Sequence, residues 1–140
     1  MRFVCLVSLF AVFATADINS VMNEPNLERR SERALENADE AVGHAKKAYS
    51  AQDMAGYQKA LKEVLDSIEL CYKSLQESGK KARRSPKYFK KADMRLHDLS
   101  KRLDNLEKEV MIEDRGTVTS LKHRVDELNE QVVLDIMTKK

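Results

Sequence analysis

Residues 89–110 read FKKADMRLHDLSKRLDNLEKEV, and their apolar positions decide the fold. Phe89, Ala92, Leu96, Leu99, Leu103, Leu106 and Val110 recur at alternating steps of three and four. That spacing puts all of them on one side of an α-helix as an unbroken heptad stripe. Asp98–Arg102 and Asp104–Lys108 fall one turn apart on the opposite side, as ion pairs along the helix. Ser85-Pro86 gives the helix its start, with Ser as cap and Pro at the first helical position. A helix with one such stripe is not stable alone and must bury it on other helices.

Downstream, the stripe slips by eight residues, from Val110 to Val118. A continuous helix could absorb the slip as an inserted four-residue step. A turn fits the residues better. Gly116 would cost about 1 kcal/mol inside a helix, and Asp114 is a good cap for a new one. The next stripe then runs through Val118, Leu121, Val125, Leu128, Val132 and Ile136.

Upstream lie two more rods. In the first, Leu27, Ser31, Ala34, Ala38, Ala41, Ala45 and Ala48 step by fours and threes, with Leu35, Val42 and Tyr49 beside them. The alanines let a neighbour approach closely while the larger flanking residues fill space. Asn23 or Asn26 can cap this helix, and Glu24 and Glu28 suit its positive end. The pattern breaks at Ser50–Asp53, where Asp53 can cap a second helix. Tyr57, Leu61, Val64, Ile68, Cys71 and Leu75 form its stripe, Glu69 and Lys73 make an outward pair, and Gly79 ends it.

These readings predict helices over about 25–51, 54–78, 86–111 and 115–138. Short links between rods of similar length predict an all-α, antiparallel up-down-up-down four-helix bundle over 24–140. The alternative is a helical hairpin plus one long coiled-coil helix that pairs with a second copy.

The first sixteen residues stand apart. Arg2 is a short positive start, FVCLVSLFAVF from Phe3 to Phe13 is almost wholly apolar, and Ala14-Thr15-Ala16 offers small residues before polar Asp17. That order predicts a cleavable secretory signal over 1–16, with Asp17 as the mature N-terminus. Residues 17–23 show no period and read as a flexible tail. The expected mature chain carries no second apolar run of membrane length, so no transmembrane span is expected. The expected location is outside the cytoplasm, periplasmic or secreted. Cys71 is the only cysteine beyond the leader, so no internal disulfide can form after cleavage. Four Gly, two Pro and a charged fraction of 34% among 140 residues suit long amphipathic helices. A formal net charge of +2 gives no global sign of a nucleic-acid partner.

Two resemblances bear on the chain. Ala48-Tyr49 through Tyr57-Gln58-Lys59-Ala60-Leu61 looks like the turn region of a tetratricopeptide hairpin. It covers one hairpin, whereas that fold's binding groove comes from stacked repeats. NLERRSERALENADEAV, YKSLQESGKKARRSPKYFKKAD and EDRG resemble segments of uncharacterised secreted helical proteins of soil bacteria. This likeness covers most of the mature chain and implies export and a helical fold, with no known activity.

No residues assemble a catalytic motif. His44, His97 and His123 are preceded at three residues by Ala41, Met94 and Ser120, so the Glu-x-x-His of di-iron bundles is absent. Cys71 sits on a stripe and reads as a small buried hydrophobe. Glu36, Asp39 and Glu40 read as solvated outer charge. One stretch departs from balance. Lys80, Lys81, Arg83, Arg84, Lys87, Lys90, Lys91 and Arg95 are basic, with Asp93 the only acid among them and Tyr88 and Phe89 interleaved. Its early part opens a helix, where positive charge opposes the helix dipole, so helix stability does not explain it. The expected function is therefore non-enzymatic binding or scaffolding through residues 80–95, with no cofactor. The expected partner is an anionic envelope surface or another helical protein, and self-association is compatible with the stripes. A metal or haem carrier built on the same bundle is the second expectation.

Overall fold

The structure is a computed structural model that describes residues 17–79 and 86–138. The predicted leader over 1–16 and the connector residues 80–85 lie outside the described residues. Five helices follow one another: α1 (Ile18–Met22), α2 (Leu27–Ser50), α3 (Met54–Glu77), α4 (Pro86–Glu109) and α5 (Arg115–Met137), with a 3-10 turn over Ile112–Asp114. The four long helices match the predicted spans to within two residues at either end. Among the described residues there is no strand.

The caps explain the helix starts. Asn26 accepts from the Arg29 amide at 2.9 Å, so Asn26 rather than Asn23 begins α2. Asp53 accepts from the Gly56 amide at 2.9 Å and begins α3. Gly79 has φ +66°, the left-handed conformation expected just beyond α3.

The chain runs up, down, up and down. Ser100 donates to Asp126 at 2.5 Å, and Lys122 reaches Asp104 at 3.3 Å, which sets α5 antiparallel on α4. Asn37 to Ser67 at 2.8 Å does the same for α2 and α3. The neighbours around the ring are not sequential, however. α2 packs on α3, α3 on α5, α5 on α4 and α4 on α2, so α3 and α4 lie across a diagonal. The bundle is thus two antiparallel hairpins laid side by side, and α2 runs parallel to α4. Glu32–Lys91 at 2.8 Å, Asp39–Arg102 at 2.8 Å and Lys46–Glu109 at 3.2 Å climb both helices in the same direction.

The predicted stripes face the centre. Leu99, Leu103, Val118, Val125, Ile68 and Val64 are each no more than 1% exposed. Ala34, Ala38, Ala41 and Ala45 are buried on the α3 side of α2, where their small size permits the close approach of the first hairpin.

At one end the hairpins are tied together. The Tyr49 hydroxyl donates to the Asp114 carboxylate at 2.9 Å and accepts from the Met111 amide at 2.9 Å. Tyr57 donates to the Asp114 carbonyl at 3.2 Å, and the two tyrosine rings sit 5.1 Å apart. Asp114 stands at the start of α5, but its side chain makes no cap bond there. The carboxylate is used by Tyr49 instead.

Four expectations are corrected. Residues 17–23 contain a helical turn rather than a flexible tail. Asp17 caps α1 through the Asn19 amide at 3.0 Å, and Val21 is only 5% exposed. A five-residue helix is too short to leave a period in the sequence. Arg102 pairs with Asp39 across helices rather than with Asp98 along its own. Glu69 likewise pairs with Arg124 of α5 through Nε and Nη2, while Lys73 pairs with Glu77. A bidentate partner on a facing helix holds a carboxylate in better geometry than a mobile lysine one turn away. The long coiled-coil alternative fails at Met111, whose extended backbone (φ −64°, ψ 151°) ends the rod.

Leu99→Ala and Leu103→Ala are expected to cost roughly 2–5 kcal/mol each by denaturant unfolding, because both side chains lie in the shared core. Losses below about 0.5 kcal/mol at both positions, the level of an ordinary surface change, would mean that this stripe faces water.

Candidate functional site

Of the eight cations in the basic segment, Lys80, Lys81, Arg83 and Arg84 fall outside the described residues. The structure divides the other four. Lys91 pairs with Glu32 at 2.8 Å and Arg95 lies 3.9 Å from Glu36, so both belong to the α2–α4 ladder. Lys87 and Lys90 are exposed on the first turns of α4, and neither has a carboxylate partner among the described residues. Lys87 lies 5.6 Å from the centre of the half-buried Tyr88 ring. Phe89, by contrast, is buried at 4% exposure and belongs to the core. The segment therefore has a structural half and an open half. Glu36 and Asp39, expected only to solvate the bundle, serve as rungs of the ladder. Glu40 alone of the three carboxylates is simply exposed.

A second surface feature had no forecast in the sequence. An open groove of about 360 Å³ runs along the α2/α3 hairpin, lined by Ala41, Ala48, Ala60 and Gly56 with His44, Lys47, Lys59 and Glu63. It starts at Glu63, beside the first residue of α1, and ends at the α2/α3 turn near Asp53.

The remaining candidates are separated from one another. His97 and His123 are exposed, and His123 lies 3.2 Å from Glu127. His44 lines the groove on α2. Among the described residues, no three His, Cys, Asp or Glu side chains are placed to share a metal ion. Burial alone pushes the Cys71 thiol up to about 12, which keeps it protonated and a poor nucleophile. Burial, then the nearby Asp114 and Tyr49, push the Tyr57 phenol up to about 12. The thiol belongs to the core and the phenol to the inter-hairpin tie.

No helix of the described residues is long and apolar enough to cross a membrane. Compared with known proteins, the chain matches no protein family, no curated protein and no solved structure.

Cys71 is expected to resist alkylation at pH 8 in the native protein, reacting at least about 100-fold more slowly than in denaturant, because access requires opening of the core. Labelling of native protein at the rate of a free thiol would place Cys71 at the surface.

Proposed function

We propose that the protein is exported and acts by binding, without chemistry of its own, through the basic segment over 80–95. The observation that carries this reading is the exposure of Lys87 and Lys90 at the start of α4, directly after four cations in the connector. Cations at a helix start oppose its dipole, so their placement answers to something other than folding. The leader-like residues 1–16 support action outside the cytoplasm. The partner class is an anionic surface of the cell envelope. Lys91 and Arg95, held by Glu32 and Glu36, support the patch by fixing α4 rather than by meeting the partner.

The test is sedimentation of the chain beginning at Asp17 with vesicles rich in anionic lipid, and with a soluble anionic polymer, at low and at high salt. Binding at low salt is expected to fade steeply between roughly 0.05 and 0.5 M salt, since the screening length falls to about 3 Å at 1 M. Reversal of Lys80, Lys81, Arg83 and Arg84 to Glu is expected to abolish it with the circular dichroism unchanged. No binding at low salt, or binding that survives the reversal, would contradict the proposal.

A further inference from the structure

α1 is a helix of five residues that would be unstable alone, so something must hold it in place. Two attachments are visible. Val21 is buried at 5% exposure against the α2/α3 hairpin, and the Ile18 amide donates to Glu63 Oε1 at 2.7 Å. Glu63 in turn belongs to a buried polar cluster. The Asn37 amide donates to the same Glu63 oxygen at 2.9 Å and to Ser67 Oγ at 2.8 Å. The Ser67 hydroxyl donates to the Glu63 carbonyl at 2.7 Å. Asn37 and Ser67 are 6% and 0% exposed, so α1 and Glu63 close over a polar pair inside the first hairpin.

Both hydrogen-bond donors to the Glu63 carboxylate are neutral, and both use Oε1. A half-buried carboxylate served only by neutral donors on one oxygen is incompletely compensated. Lys62 hydrogen-bonds Asp66 at 2.9 Å, and Lys59, one turn before Glu63, lines the same groove but makes no ion pair with it among the described residues. The Asp17 nitrogen lies one residue before the Ile18 nitrogen, which standard geometry places within about 3.7 Å of it. With the Ile18 nitrogen 2.7 Å from Oε1, the Asp17 nitrogen lies within about 6.4 Å of that oxygen.

We propose that cleavage after Ala16 creates an α-ammonium at Asp17 that pairs with Glu63 and fastens α1 across the α2/α3 hairpin. The proposal rests on the leader reading. Hydrolysis by an export peptidase breaks the Ala16–Asp17 C–N bond. Water gives its oxygen to the Ala16 carboxylate and its hydrogen to the Asp17 nitrogen, which then takes a solvent proton. A neutral amide with one N–H becomes a cation with three, and an ordinary α-amine stays mostly protonated at pH 7. The Asp17 carboxylate is already engaged with the Asn19 amide at 3.0 Å, leaving the ammonium to turn toward Glu63. The same hydrolysis that releases the leader thus completes the folded structure, and the unprocessed chain lacks this one contact.

The test is a double-mutant cycle on the full processed chain. Four proteins are melted at low ionic strength and pH 6.5: the chain beginning at Asp17 with a free or an acetylated amine, each with Glu63 or with Glu63→Gln. Acetylation is expected to lower the Tm by about 2–5 °C when Glu63 is present, as loss of roughly 1 kcal/mol does in a domain of this size. In the Glu63→Gln chain it is expected to change nothing. Equal shifts in both backgrounds, or none in either, would overturn the pairing. Titration of the Asp17 amine by NMR is a second readout that does not depend on stability. The pKa is expected above the usual α-amine range in the wild type and back within it in Glu63→Gln, and identical values in the two would overturn the pairing. The start of the naturally exported chain, read by mass spectrometry, tests the leader separately. A start other than Asp17 refutes the leader reading whatever the cycle shows.

Discussion

The chain reverses direction between Val110 and Arg115, and the rest of the bundle depends on that reversal. Without it, the stripes of α4 and α5 would lie along one rod of about fifty residues and would need a second chain for cover. With it, Leu99, Leu103, Val118 and Val125 meet within one molecule. Several groups hold the reversal in place. Tyr49 reaches from the end of α2 to the Met111 amide and the Asp114 carboxylate, and Tyr57 reaches from α3 to the Asp114 carbonyl. Arg115 Nε closes the end of α4 by donating to the Val110 carbonyl at 3.1 Å. The turn of the second hairpin is therefore built partly from residues of the first. This couples the two hairpins at one end, while the Glu32–Lys91 and Asp39–Arg102 rungs couple them along their length.

Much of this was legible in the residues. A heptad stripe such as Phe89–Val110 has few readings other than a buried helix face, and Asn26, Asp53 and Gly79 mark helix ends by local chemistry that survives folding. What was not legible required knowing neighbours. Asp98 and Asp39 are equally plausible partners for Arg102 until α2 is seen lying parallel to α4. Asp114 looks like a cap because a carboxylate before a helix usually caps. Only the position of Tyr49, far away in sequence, shows that it is taken. The order of helices around the ring is likewise invisible, since every stripe is apolar enough to meet any other. α1 escaped because five residues carry too little pattern, and its anchor, Glu63, reads as ordinary surface charge.

The charge distribution separates structure from recognition. In the second half of the basic segment, the cations are absorbed by acids of α2, which sit at matching positions along a parallel helix. Lys87 and Lys90 make no ion pair with a described residue. The cationic surface is thus concentrated at the end of the bundle away from the tyrosine tie, next to the connector. The groove along α2 and α3 belongs to the first hairpin and starts beside α1. Exposed Met111 and Ile112 mark the opposite tip, at 65% and 77% exposure. Exposed Met22, Leu134 and Met137 lie toward the other end, so apolar surface is present at both ends of the bundle.

The account stands or falls on the reversal at 110–114, and a distance between α4 and α5 reads it directly. Spin labels placed at exposed Lys90 and Glu130, measured by pulsed electron resonance in dilute solution, would report whether these positions face each other across a hairpin. Packed antiparallel helices lie about 8–10 Å apart, so with the label arms the distance should be roughly 20 Å. A continuous helix would separate the two labels by about 60 Å, at 1.5 Å per residue, and that result would contradict the bundle.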